Sequence, residues 1–407
     1  MGNIAQTSIA LGPYLYLPSG WDTAWKTAKA AIGSQRAYIT GIGDSIMSGQ
    51  GSSNILTTSW WALMRSAILA ANGNQLGGDL FGMNYTPMGY NPPGSPLTLY
   101  GVQNTDYYWA YAAFSWALFS NSTVKIPLIS CTTSYPVTGF DIIYIDYVPG
   151  VWTYNIDGGS NTTVTCTGNG AFANSIVKKV SITGLTSGVH TLNINSPDTN
   201  AACVILGITP YASSSGFCFA NMALASFGLV QGSAANASLS DTALMPPDKL
   251  SLYQGYTGKT SAPTALTGFG FPAQPDLAII AIGVNDAGTS ITRIQYRDAL
   301  DRLVRCLRFG KSDACSIIIA AMYQADGTLA TSTAVTNQEF TQWGLTPYHD
   351  FRAAMLEVAQ CRNCAFVDVY SAFGNKPVSN GWITSATDIH PTNAGHAKIA
   401  SLMGSIV

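Results

Sequence analysis

The sequence predicts an α/β protein, a parallel sheet flanked by helices, with an all-β module set into it. Three observations predict this. Strands and helices alternate near both ends of the chain, the order that builds a parallel sheet. The strands there are unbroken apolar runs, as strands covered on both faces are. Between about Asn91 and Ser215 the pattern changes to short strands separated by turn residues, which fits an antiparallel sandwich.

The elements follow in order. Trp21, Trp25, Ala28 and Ile32 recur at helical spacing, with Lys26 and Lys29 off that stripe, and so predict an amphipathic helix. Ala37–Gly43 is apolar and ends in glycine, a buried strand. Ser59–Ala71 returns to helical spacing through Trp60, Leu63, Ala67 and Ile68. In the middle, Phe140–Val148, Val151–Ile156, Thr162–Thr167, Ser175–Ile182 and His190–Ile194 carry the β signal. Gly158-Gly159, Gly168-Asn169-Gly170 and Ser187-Gly188 punctuate them. Phe217–Asn221 is a further strand. Pro275–Gly283, Ser316–Met322 and Ala365–Val369 are buried strands, alternating with helices over Thr292–Phe309, Tyr348–Gln360 and Asn393–Ser405. The division expected is 1–90 and 216–407 for the α/β domain and 91–215 for the inserted module. No internal repeat is present.

Composition narrows the function classes. Apolar residues make up 47% of the 407 and charged residues only 10%, against the usual quarter. The net charge of −2 and the scattered Lys and Arg, with Lys178-Lys179 the only adjacent pair, leave no concentrated positive field for nucleic acid. Tyr107–Val124 has a solid apolar part too short to span a bilayer, and Ala201–Ser240 is broken by Pro210, Ser213-Ser214-Ser215, Gly216 and Asn221. Both are expected to be buried protein segments, not membrane spans. Met1–Gly20 shows no basic segment followed by an apolar run. The Ser, Thr, Asn and Gly content suits a protein working outside cells, and an extracellular or virion-associated setting is expected. Of the eight cysteines, Cys361 and Cys364 form one CxxC; a zinc site needs a second pair or nearby His residues, so buried thiols or local disulfides, such as Cys306 with Cys315, are expected instead. No metal or cofactor is expected.

Three short motifs carry chemistry. Gly43-Asp44-Ser45 follows the first buried strand, at the carboxyl edge where open α/β sheets place their sites. A serine hydroxyl attacks only with a base and with donors for the developing oxyanion. Of four histidines, His190 falls in the β module and His349 starts a helix, both structural positions. His390 precedes Pro391, which ends any preceding helix, and Thr392 or Asn393 can cap the next one, so His390 lies in a loop. His396 falls on that last helix and reads as a packing residue. Gly283-Val284-Asn285-Asp286 ends another buried strand. There Asn285 can donate an amide hydrogen to an oxyanion, or the Asn-Asp turn can merely cap a helix.

In order, GDS, GVND and DIHP resemble the SGNH (GDSL-like) hydrolase family over residues 20–85 and 216–407. The resemblance implies a flavodoxin-like three-layer sandwich and an esterase, lipase, thioesterase or polysaccharide deacetylase activity. It implies Ser45 as nucleophile, His390 as base, and Asn285 and the Ser45 backbone N–H as oxyanion donors. Two positions depart from the family pattern. Its acid stands three residues before the histidine, where this chain has Thr387; Asp388, two before, is the carboxylate within reach of the Nδ1 side of His390, and a Ser–His dyad is the alternative. The family's glycine block is matched by Phe217–Asn221 and the residues after it, with Ser226 where the glycine stands; Ser226 offers a third oxyanion N–H, with Gly228 as the alternative. The inserted β module makes the layout similar to family members found in phage tail proteins and secreted carbohydrate esterases.

The expected function is hydrolysis of carboxylic esters, O-acetyl groups on a polysaccharide foremost, since the low charge and the many Tyr and Trp residues suit contact with sugar faces. A lipase or thioesterase with an aliphatic groove is the second reading. A non-catalytic glycan-binding virion component is the third, against which the joint presence of Ser45, Asn285 and His390 argues. The expected partner is an acetylated polysaccharide or other small ester.

Overall fold

Ile39, Ile42, Ile279 and Ile318 are fully buried, and strands this apolar belong inside a covered sheet. The structure, a computed structural model, describes residues 14–82, 97–99, 107–110, 115–119, 125–146, 149–168, 176–196, 204–221, 223, 227–230, 232–233, 275–287, 291–308, 315–323, 348–374, 377–385 and 388–407. The first strands are β1 (Leu15–Tyr16), β2 (Arg36–Gly43) and β3 (Leu76–Gly82). Next come β4 (Leu97–Leu99), β5 (Tyr107–Ala110), β6 (Ser115–Phe119), β7 (Lys125–Thr132), β8 (Val137–Asp146), β9 (Pro149–Ile156), β10 (Thr162–Thr167), β11 (Ile176–Gly188), β12 (Thr191–Ser196) and β13 (Val204–Tyr211). The last are β14 (Gly216–Asn221), β15 (Phe227–Gly228), β16 (Gly232–Ser233), β17 (Leu277–Ala281), β18 (Ser316–Ala321) and β19 (Ala365–Asp368). The helices are α1 (Thr23–Ala30), α2 (Trp60–Ala71), α3 (Arg293–Leu307), α4 (Tyr348–Cys361), α5 (Val369–Phe373) and α6 (Asn393–Gly404).

β3, β14, β2, β17, β18 and β19 lie side by side in that order, all parallel, and β1 closes the far edge antiparallel to β19. From β2 the chain goes to β14 on one side and returns to β17 on the other, which is the flavodoxin-like order once β3 is set aside. The order therefore reverses between β2 and β17, and the crevice beyond the carboxyl ends at such a point is where open α/β sheets receive ligands. Each large aliphatic side chain buried in this sheet contributes roughly 1.5–3 kcal/mol, so the crevice rests on a stiff floor.

The helices start where the sequence marks them. Ser59 caps α2 by accepting from the Ala62 N–H at 3.2 Å. Thr392 rather than Asn393 caps α6, accepting from the Gly395 N–H at 3.2 Å. Trp25 of α1 meets the Phe217 ring and Trp61 of α2 meets Phe219. Phe217 and Phe219 are two apart on β14 and so share a face, which puts α1 and α2 on the same side of the sheet. α3 packs on α4, and α4 on β18 and β19.

The middle of the chain supplies an extra antiparallel sheet, in the order β10-β9-β12-β7-β4. It faces a second antiparallel layer that contains β8, β11 and β13, and the two share a core of their own. Trp152, Leu192, Ile194 and Ile129 come from one sheet, and Phe140, Ile142, Ile205 and Ile208 from the other. The second layer is not detached from the α/β part. β13 pairs antiparallel with β3, with Ile208 opposite Phe81 and Tyr211 opposite Gly78, so the parallel sheet runs on into it. The physical reason is the edge: β3 would otherwise present unpaired backbone groups. Neither β3, β7 nor β13 was expected from the sequence. The segment expected to be buried at Tyr107–Val124 contributes the β5–β6 hairpin, and Ala201–Ser240 contributes β13 and β14. Among the described residues no helix is long and apolar enough to cross a membrane.

Candidate active site

β2 ends at Gly43, and Asp44 and Ser45 follow at its carboxyl end, both buried. The chain then folds back in tight turns, with the Ser48 N–H donating to Asp44 O and the Gln50 N–H to Ser45 O. Neighbouring elements hold this turn from two sides. The Asn221 amide, at the end of β14, donates to Met47 O at 3.0 Å. The Trp60 indole, at the start of α2, donates to Ile46 O at 3.0 Å. Ser45 thus stands beside the reversal between β2 and β17, on a backbone that its surroundings fix.

His390 reaches this serine from the other end of the chain: its Nε2 lies 3.0 Å from Ser45 Oγ. Its loop is pinned by an isolated bridge between Ile383 and Pro391 and by Asn393. The Asn393 side chain accepts from the Ser53 N–H at 2.8 Å and donates to Ser53 Oγ at 2.8 Å. Gly51 lies directly beneath, with φ of +93°, and a Cβ there would collide with Pro391 O and crowd His390. Glycine therefore lets the serine and histidine loops close on each other.

Asp388 lies on the far side of the imidazole. Its Oδ1 accepts from the His390 backbone N–H at 2.8 Å and is 3.5 Å from His390 Nδ1. Its Oδ2 accepts from the Thr384 hydroxyl at 2.7 Å. Because a carboxylate only accepts, the neutral ring carries its hydrogen on Nδ1, and Nε2 is left to accept from the Ser45 hydroxyl. Burial pulls the His390 pKa below its ordinary value, and Asp388 offsets only part of that. For Asp388 burial acts upward, but the Thr384 hydroxyl and the His390 N–H outweigh it and hold the carboxyl below its usual range. The arrangement is a neutral base against a hydroxyl, with an ionised group behind it. Thr387 lies outside the described residues.

The GVND segment follows β17. Gly283 takes a φ of +132°, and the turn it starts is closed by the Asp286 and Ala287 N–H groups donating to Gly283 O. Asn285 is half-buried and Asp286 fully buried. Ser226 lies outside the described residues, while Gly228 stands in β15, paired with Gly232 of β16.

The remaining candidates lie elsewhere. His396 is fully buried, accepts at Nδ1 from the Trp60 N–H at 3.2 Å and donates from Nε2 to Gln50 O at 3.1 Å. Burial pushes its pKa down to about 4, and it is a neutral strut between α6, α2 and the loop after Ser45. His190 pairs with Asp157 at 2.6 Å in the extra sheet, and His349 sits beside Asp350 at 3.3 Å. Cys361 and Cys364 are free thiols, and burial raises Cys364 to about 11, which leaves it protonated and inert. Sequence reasoning passed over Asn221, Gly51 and Thr384; a polar side chain closing an apolar strand was the signal for Asn221.

A serine, a histidine and a carboxylate thus converge at the switch point of a doubly wound sheet, an arrangement chemically able to carry out acyl transfer. Residues 231–398 match the GDSL-like lipase/acylhydrolase family. No curated protein matches the chain in sequence. Among solved structures, the chain is similar to a peptidoglycan O-acetylesterase, with a TM-score of 0.64 at 15% identity over 95% of this chain and 94% of that one. A family two carbohydrate esterase from Clostridium thermocellum in complex with cellohexaose matches 76% of this chain and 97% of its own, at 13% identity and a TM-score of 0.28. A lipase/acylhydrolase from Enterococcus faecalis matches 47% of this chain and 75% of its own, at 16% identity and a TM-score of 0.30. The likeness of fold is carried by the first. Over residues 231–398 the chain is similar to the GDSL-like lipase/acylhydrolases, its fold is of the SGNH hydrolase kind, and both support an ester hydrolase as its class of activity.

Proposed function

We propose that this chain is a serine esterase that removes O-acetyl groups from a polysaccharide or glycan. The observation that carries the reading is the 3.0 Å approach of His390 Nε2 to Ser45 Oγ at the switch point of the sheet. His390 takes the Ser45 proton as Oγ bonds to the ester carbonyl carbon, and the carbonyl oxygen becomes an oxyanion. The Ser45 N–H, Asn285 and the Ser226 N–H stabilise that charge. The C–O bond to the sugar then breaks, and His390 passes its proton to the departing alkoxide. Water, deprotonated by the same imidazole, attacks the acetyl-enzyme and releases acetate and free Ser45. Asp388 keeps the imidazole in the required tautomer.

The acetyl ester is favoured by the sparse charge and abundant aromatic residues, and by likeness of fold to a peptidoglycan O-acetylesterase. In this reading residues 91–215 form an inserted β-sandwich that shapes access for a polymeric substrate, and the protein acts outside cells or on a virion. Acetate release from O-acetylated peptidoglycan and xylan, beside turnover of p-nitrophenyl acetate and palmitate, tests it. Turnover of the long acyl ester alone would make the chain a lipase.

Two expectations follow from the site. Asn285→Ala should lower kcat by roughly 10²–10³, the cost of losing one oxyanion donor, with KM nearly unchanged because the charge exists only in the transition state; a change in KM alone would make Asn285 a substrate-binding residue. The base must be neutral, so kcat/KM should fall as pH drops through the His390 pKa. Burial sets that pKa below 6.5, and a pH–rate profile with its acid limb above 7 would contradict the assignment.

A further inference from the structure

Asp286 stands next to Asn285 in the GVND segment, yet its carboxylate faces a different part of the chain. It is fully buried. Oδ2 accepts from the Leu229 N–H at 2.6 Å and Oδ1 from the Val230 N–H at 2.9 Å. The two donors belong to the turn that follows Phe227–Gly228, and a Cβ on Gly228 would stand 2.7 Å from Oδ1. The turn therefore rests directly on the carboxylate. Both donors converge on one side chain, and only an acceptor-only group serves both without turning an N–H against an N–H.

We infer that Asp286 is a positioning residue, which locks the 227–230 turn onto the Asn285 loop and so sets the spacing between Asn285 and the Gly228 N–H, the alternative third donor to the oxyanion. The inference rests on the esterase reading above. A second buried carboxyl feels the Asp286 charge. Asp44, one residue before the nucleophile, is fully buried, and its Oδ2 has no hydrogen-bond partner. Burial, and in smaller part the charge of Asp286, lift its pKa to about 7. Asp286 is supplied with two N–H donors, whereas Asp44 Oδ1 accepts one, from the Ile46 N–H at 3.0 Å. The GVND and 227–230 segments thus meet at one buried carboxylate, which holds the two stretches of chain as a unit. Preorganised donors of this kind lose effect steeply when displaced.

The test is kinetic, on the full chain, with active sites counted by fluorophosphonate titration so that misfolded protein drops out. Asp286→Asn keeps the size but turns an amide donor toward one of the two N–H groups. It should lower kcat per titrated site roughly ten- to a hundredfold, hold KM within about twofold, and weaken a boronic-acid transition-state analogue in step with kcat. Combined with Asn285→Ala it should cost less than the product of the single losses, because both act on one hole. Gly228→Ala pushes the same turn off the carboxylate from the other side and should give the same pattern, which decides the matter if Asp286→Asn does not fold. A variant with lowered Tm but kcat per titrated site within twofold of wild type overturns the inference, and makes Asp286 a purely structural anchor. A wild-type protein that neither reacts with the fluorophosphonate nor turns over any ester overturns the esterase reading itself, and this inference with it.

Discussion

Ser45→Ala should lower ester turnover by on the order of 10⁴–10⁶, the scale of loss when the nucleophile of a catalytic serine–histidine unit is removed. The size follows from what the residue does in the proposed reaction: without Oγ no acyl-enzyme forms, and only the oxyanion donors remain to favour direct attack by water. The fold should be untouched. The backbone bonds that shape the turn use Ser45 O and Asp44 O, which alanine retains, and the hydroxyl itself faces His390. Thermal unfolding of the variant should match the wild type, and fluorophosphonate should label Ser45 in the wild type and nothing in the variant. A Ser45→Ala protein with near-normal turnover would remove the assignment at its root.

The parts of the fold legible in the sequence are those with a local cause. An unbroken apolar run such as Leu277–Ala281 reads as a strand wherever it pairs, and all five of its residues are buried. Ser59 and Thr392 announce helix starts because the cap bond spans three residues. The parts that were not legible depend on distant partners. β3 contains three glycines in seven residues, a poor strand by composition, and it exists because β14 pairs with it on one side and β13 on the other. The continuity of the parallel sheet into the antiparallel layer follows from that pairing and could not be seen locally.

The site divides the same way. Ser45, Asn285 and His390 could be singled out because each stands in a short motif just outside an element. What holds them was hidden. Asp286 binds a turn 56 and 57 residues away, and Asn221 supports the Ser45 turn from 174 residues away. A motif shows which atoms can react, whereas the spacing of those atoms is set by contacts that only the fold creates.

The carboxylate behind the histidine is where this chain departs from the family pattern it resembles, and the geometry makes its role measurable. Asp388 precedes His390 by two residues, so its Oδ1 first satisfies the His390 backbone N–H at 2.8 Å and stands at a long 3.5 Å from Nδ1. Its other oxygen is held by Thr384, which prevents the carboxylate from swinging away. Asp388→Asn retains these shapes but can present an amide hydrogen to Nδ1. The neutral ring then favours its hydrogen on Nε2, where it cannot accept from Ser45. The variant should lose about a hundredfold in kcat, on the order of 3 kcal/mol. Asp388 also raises the His390 pKa against the opposing effect of burial. Removing its charge should therefore move the acid limb of the pH–rate profile to lower pH. His390→Ala should be at least as damaging, and the double variant little worse than His390→Ala alone, because the members act as a unit. A different pattern would expose a dyad: Asp388→Asn keeping most of its activity, with an unmoved acid limb, while His390→Ala is inactive. The 3.5 Å approach would then hold the loop in shape without taking part in catalysis, and Ser45 and His390 would carry the reaction by themselves.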